Sequence, residues 1–229
     1  MKLINDLLHL VYPNQCLVCE KELAVSEKQI CVFCNDAISL TNFHLLTEES
    51  SMDKLFWGRI KIQKTYAHFF FEKNKASQNI LFSIKYKDNP SLATYFGREL
   101  GENLTKIEEL KSVDVVFPVP LHPKKKFIRG YNQSDALAKG ICETFERKLD
   151  VKSVIRTKHS ETQTKKSRFQ RWDNVSEIFK ISSSISSYKH AVIVDDVITT
   201  GSTIEAMTNA IRKVHPDVLI SVVTLAIAK

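Results

Sequence analysis

The chain has 229 residues, 43% of them apolar and 26% charged, a mixture that builds a globular core and excludes wholesale disorder, a collagen repeat or a coiled coil. No stretch approaches the roughly 18 apolar residues of a membrane span. The net charge of +7 is concentrated, because residues 120–180 hold 15 Lys and Arg against 7 Asp and Glu. Such a block suits an anionic partner, either a phosphate-rich metabolite or a nucleic acid, or it is a solvated basic surface.

In chain order, the opening MKLINDLLHLVYP is broken by Asp6 and His9, and no small-residue cleavage site follows it. It reads as an amphipathic helix rather than a signal peptide, so a cytoplasmic protein is expected. Next come Cys16-x2-Cys19 and Cys31-x2-Cys34, two knuckles separated by eleven residues. Thiolates spaced this way complete a tetrahedral four-sulfur site, which predicts a small module around structural zinc, with iron as the alternative metal. Disulfides are not expected without a secretory signal. The fifth cysteine, Cys142, falls on a helical apolar pattern with Leu137, Ala138, Ile141 and Phe145 and is expected to be a core thiol.

The remainder alternates strand and helix. Tyr66–Phe71 reads as a strand, 76–86 and 91–108 as helices, and Val113–Val119 as a buried strand. A helix over 132–148 and a short strand at Val154–Thr157 follow. Residues 158–187 are polar and basic and read as a long loop or hairpin, long enough to be suspected of function. Ala191–Asp196 is a further buried strand, 203–214 a helix and Val218–Ile227 the last strand. This order predicts a mostly parallel sheet with helices on both faces.

The most informative segment is VIVDDVITTGST, residues 192–203. An apolar strand delivers Asp195 and Asp196 at its carboxyl end. A turn of small hydroxylated residues, Thr199, Thr200, Gly201, Ser202 and Thr203, then opens a helix whose expected apolar face is Met207, Ala210, Ile211 and Val214. Backbone N–H groups at a helix start can cradle phosphate, and Gly201 permits close approach and a positive φ. Two carboxylates nearby can accept hydrogen bonds from a ribose diol or help place Mg²⁺. A ribose 5-phosphate therefore fits this segment from end to end.

That ordered combination resembles the phosphoribosyl-pyrophosphate (PRPP) motif of type I phosphoribosyltransferases. The similarity extends along the chain to the ComF family, which joins a four-cysteine zinc module to a phosphoribosyltransferase domain. It rests on Lys85-Tyr86-Lys87, Pro118-Val119-Pro120-Leu121-His122, Arg129-Gly130-Tyr131-Asn132-Gln133, Thr162 and Gln163, then Arg168, Arg171, Asn174 and Phe179, before the acidic motif. Two departures stand out. Lys124, Lys125 and Lys126 occupy the place of a basic residue, and Tyr131 stands where the family has Phe.

The resemblance implies a phosphoribosyltransferase-type fold over 51–229, a zinc module over 1–50 and a flexible loop at about 158–187. It implies that Asp195, Asp196 and Thr199–Thr203 bind PRPP with Mg²⁺, that Asp195, Asp196 and Arg129 carry the chemistry, and that Pro118–Val119 form a pyrophosphate loop. Lys85, Lys87, Arg168 and Arg171 are candidates for pyrophosphate contact or for a closing lid, although paired lysines also serve as solvated charges. Asn132 and Gln133 can instead cap the following helix, and His122 is expected to make structural hydrogen bonds. The expected activity is displacement at the anomeric carbon with loss of pyrophosphate, towards an acceptor chosen by the region around Leu45–Phe71 or by the early helices. Two alternatives stand beside it. One is a competence factor that binds single-stranded DNA through Lys124–Lys126, with PRPP as a regulatory ligand. The other is a scaffold that docks competence-machinery proteins and keeps a vestigial transferase site.

Overall fold

The structure is a computed structural model that describes residues 14–46, 48–157 and 178–229. The N-terminal helix expected over the first thirteen residues lies outside the described residues, as do Arg168 and Arg171. In chain order the described elements are α1 (Val32–Asp36), α2 (Ser51–Lys54), β1 (Thr65–Phe71), α3 (Ala76–Tyr86), α4 (Pro90–Leu104) and β2 (Val115–Pro118). They continue with α5 (Pro123–Arg129), α6 (Gln133–Phe145), β3 (Lys148–Leu149), β4 (Val154–Arg156), β5 (Phe179–Ile181), β6 (His190–Ile198), α7 (Ser202–Val214) and β7 (Leu219–Ala228).

Five strands form one parallel sheet in the order β1-β7-β6-β2-β3. Side chains of a strand alternate between faces, yet eight consecutive residues of β7, Ile220–Ile227, are buried, as are His190–Val194 of β6. Both faces are therefore covered, as the near-continuous apolar runs imply. From β2 the chain crosses through α5 and α6 outward to β3, whereas from β6 it crosses through α7 to β7 on the other side. Right-handed crossovers in opposite directions put α6 and α7 on opposite faces of the sheet.

Local chemistry sets the helix starts. Ser50 and Asp53 form a reciprocal capping box at α2, and Asn89 accepts from the Leu92 N–H with Pro90 in the first turn of α4. Helices α4 and α6 cross where their backbones touch: a Cβ on Gly97 would stand 2.3 Å from the Leu137 carbonyl oxygen. On the outer edge of β1, residues 39–41 run antiparallel, with Phe70 N–H donating to Ser39 and Thr41 N–H to His68. That pairing closes an edge which would otherwise be open to association.

Several expectations are corrected. The strand expected at Val154–Thr157 does not join the main sheet; β4 pairs antiparallel with β5 as the two arms of a hairpin whose connection, 158–177, lies outside the described residues. Of the stretch read as a long loop or hairpin over 158–187, the described part holds β5, the second arm of that hairpin, and a short 3-10 turn at Ser183–Ser187. Helix α5 was not anticipated, because PKKKFIR buries no residue and so has no apolar period; its signals are the His122 cap and Pro123. On α7 the buried face is Ile204, Met207, Thr208 and Ile211, while Val214 is 41% exposed. Cys142 is half-buried against the core, and burial pushes its thiol up to about 12, in line with a structural role.

Candidate functional site

In an open parallel sheet, ligands bind in the crevice beyond the carboxyl ends of two neighbouring strands whose chains leave in opposite directions. Here those strands are β2 and β6, paired from Val115–Ala191 to Pro118–Val194. β2 ends in Pro118, and the buried Val119 donates its N–H to the Val194 carbonyl at 2.8 Å. β6 carries Asp195 and Asp196 near its end. The sequence therefore places Pro118 and its acidic pair on the two sides of the crevice between β2 and β6.

The two carboxylates differ. Asp195 is half-buried; its Oδ1 accepts from Ser134 Oγ at 3.1 Å and from the Asp196 N–H at 2.9 Å. Desolvation, and then the charge of Asp196, hold the Asp195 carboxyl well above the usual carboxylate range. Asp196 is buried, and its Oδ2 has no aligned hydrogen-bond donor although Lys85 Nζ lies 3.0 Å away as an ion-pair partner. An acidic pair of this kind, one carboxylate buried and one half-buried, fits a hard divalent cation.

Beyond β6 the turn through Thr199 and Thr200 is exposed, and α7 begins at Ser202 with no side chain capping its start. The first N–H groups of that helix and the hydroxyls of Thr200 and Ser202, 3.2 Å apart, are offered to the crevice rim. Gly201 adopts φ +73°, and a Cβ there would lie 2.8 Å from Phe56 Cε1. Arg59, which the sequence did not single out, braces the turn. Its Nη1 donates to Thr200 O at 2.6 Å and to Leu55 O at 2.9 Å, and its Nη2 pairs with Glu205 at 2.5 Å. With Arg212 donating to Lys61 O at 2.6 Å, the segment around Phe56–Lys61 lies along α7 as a strap.

The other candidates divide. Lys85 faces the acidic pair, whereas Lys87 pairs with Glu20 of the cysteine module. Arg129, at the end of α5, donates to Gln133 Oε1 and lies 5.7 Å from the Tyr86 ring centroid. Asn132 caps α6 by accepting from the Ser134 N–H and holds Val119 O at 3.1 Å, so it ties the β2 turn to the helix that supports Asp195. Tyr131 uses its hydroxyl to donate to the Ile84 carbonyl, a bond Phe could not make. Lys124–Lys126 stand on α5 beside Phe127 and Ile128, which are 89% and 84% exposed. His122 Nδ1 accepts from the Lys124 N–H, the structural role expected of it. A cavity of about 360 Å³ adjoins Lys85 and Thr199 and is walled by Phe71, Leu81, Phe82, Tyr86 and Val197. The aromatic wall comes from α3 and the end of β1.

The four cysteine sulfurs lie within 4.8 Å of one another, with Cys19 and Cys31 Sγ 3.7 Å apart. Tetrahedral Zn–S bonds of about 2.3 Å place sulfurs about 3.8 Å apart, so the donor set fits one metal ion. Within the cluster, burial raises Cys16 but N–H groups of Cys19, Cys31 and Val18 outweigh it and bring that thiol to about 7, whereas burial and neighbouring sulfurs raise Cys34, and burial raises Cys19.

Residues 136–229 match the phosphoribosyl transferase domain model. Competence protein F of Haemophilus influenzae is 27% identical over 215 residues, 90% of this chain and 87% of that protein. DNA utilization protein YhgH of Escherichia coli K12 is 26% identical over 210 residues, 85% of this chain and 89% of that protein. Together with the clustered cysteines, these matches make the chain similar to ComF/YhgH-family proteins over most of its length. Among the described residues, no helix is long and apolar enough to cross a membrane.

Proposed function

We propose that this chain binds PRPP with Mg²⁺ in the crevice between β2 and β6 and transfers the phosphoribosyl group to an acceptor with release of pyrophosphate. The observation that carries this reading is the convergence, at one crevice, of an acidic pair, a lysine that faces it and an uncapped helix start behind a φ-positive glycine. In it, Thr199–Thr203 hold the 5-phosphate, Asp195 and Asp196 hold the ribose hydroxyls, and the Pro118–Val119 turn faces the diphosphate. Mg²⁺, when bound, neutralises the departing pyrophosphate. The chain's own part is to fix the anomeric carbon in line with an acceptor and to set cations, Lys85 and Arg129, against the leaving charge. Structural zinc in the cysteine cluster belongs to the same reading. Its test is Mg²⁺-dependent PRPP binding, with pyrophosphate appearing once an acceptor is supplied; a folded, metal-loaded chain that ignores PRPP contradicts it.

A second reading is favoured by the exposed Phe127 and Ile128 on the lysine-bearing α5. Lysines beside an unburied aromatic ring are the combination that tracks a phosphate backbone and stacks a base, which supports single-stranded DNA as a partner and accords with the names of the relatives. Changing Lys124–Lys126 to Gln is expected to lower DNA affinity and to reduce the salt slope by about two units, at roughly 0.7 per lost phosphate contact. Unchanged affinity and slope would remove α5 from any DNA interface.

A further inference from the structure

The last turn of α3 is gripped from two sides. On one side Ser83 Oγ donates to Leu17 O at 2.9 Å, and Lys87 pairs with Glu20. Leu17 and Glu20 belong to the first cysteine knuckle, and Phe82 lines a cleft of about 330 Å³ with Val18 and Cys19. On the other side Lys85, between those two contacts in sequence, reaches Asp196 at 3.0 Å with both side chains largely buried, and the Ile84 carbonyl accepts from Tyr131. One turn of helix thus connects the cysteine cluster to the acidic pair.

The knuckle's backbone is held by Cys16 N–H to Lys21 O, Glu20 N–H to Cys16 O, Leu17 N–H to Gln29 O, Leu23 N–H to Asn14 O and a bridge between Gln15 and Glu22, and the knuckle buries Cys16, Val18 and Leu23. These bonds lie within the cysteine segment itself. A module this small depends on its metal for a fixed fold. The positions of Leu17 O and Glu20, and through them the end of α3, therefore depend on the metal too. A buried lysine–carboxylate pair is costly to misplace, since either charge left alone is poorly solvated.

We propose that the four-cysteine module is a brace that sets Lys85 against Asp196, so that metal occupancy of the cluster and occupancy of the β2–β6 crevice strengthen each other. The inference rests on the PRPP reading above and adds to it a regulatory input, the gain or loss of the metal. Linkage makes the effect reciprocal: the factor by which metal tightens PRPP is the factor by which PRPP tightens metal. A factor of about tenfold is expected, within the usual range for coupled sites.

The experiment uses the zinc-loaded full chain and a chromogenic zinc chelator that leaves Mg²⁺ alone. Saturating Mg²⁺ and PRPP are expected to shift the zinc-extraction equilibrium about tenfold towards the protein. Ser83→Ala and Glu20→Gln keep all four cysteines and the acidic pair. They are expected to bind PRPP and zinc separately while losing most of the shift. Calorimetry of wild type separates the two readings. If it binds PRPP but extraction is the same with and without ligand, the brace is overturned and the PRPP site stands. If both variants keep the full shift, the α3 route is overturned. If wild type does not bind PRPP, the PRPP reading falls and the brace falls with it.

Discussion

Replacing Gly201 with Ala tests the geometry of the turn that opens α7. The residue sits at φ +73°, and an added Cβ meets Phe56 Cε1 at 2.8 Å and Cζ at 3.3 Å. The left-handed conformation costs an L residue about 1–2 kcal/mol. The contact adds an overpacking cost of about 1–3 kcal/mol, because Phe56 is 2% exposed and packs within the core. At roughly 2–4 °C per kcal/mol for a chain of this size, the melting temperature is expected to fall by about 4–20 °C. The assay is thermal unfolding of Gly201→Ala in two backgrounds, wild type and Phe56→Leu, since Leu removes the ring atoms that clash but leaves φ unchanged. The drop is expected to be smaller in the Phe56→Leu background, and the difference isolates the contact from the backbone term. A Gly201→Ala protein that melts within a degree of wild type, or an equal drop in both backgrounds, would refute the reasoning.

Other consequences follow from the same contacts. Because burial and Asp196 raise the Asp195 carboxyl, the folded chain favours its protonated form. The stability this contributes is present below the ordinary carboxylate range near 4 and is lost as pH rises towards the raised value. Melting curves from pH 4 to 8 should show wild type losing stability relative to Asp195→Asn as pH rises; a constant difference contradicts the assignment. For the cysteine cluster, one metal ion per chain is expected, with chelation unfolding the N-terminal module. Elemental analysis and melting with and without chelator check this, and a metal-free chain with an unchanged melting curve contradicts it.

The elements legible from sequence were those whose apolar period is set by burial. β6 and β7 announce themselves because both faces are covered, and α6 because Leu137, Ala138, Ile141 and Phe145 form its buried stripe. Cys16, Cys19, Cys31 and Cys34 were legible because gathering four sulfurs at one point constrains spacing directly. Helix α5 was not, since nothing on it is buried, and β3 was not, since a two-residue edge strand leaves almost no pattern. Arg59 and Phe56 escaped for another reason. Their partners, Thr200, Glu205 and Gly201, are more than 140 residues away, and no local periodicity encodes such a contact. The division between Lys85 and Lys87 is of the same kind, because two lysines that look equivalent in sequence face different modules once the cysteine knuckle docks on α3.

The most direct measurement is calorimetric titration of PRPP in the presence and absence of Mg²⁺, on the zinc-loaded chain and on an Asp195→Asn/Asp196→Asn variant. Saturable Mg²⁺-dependent binding by wild type, lost in a variant that remains folded, is the expected result. Equal binding by both proteins, or none by well-folded wild type, would contradict a sugar-phosphate site between β2 and β6.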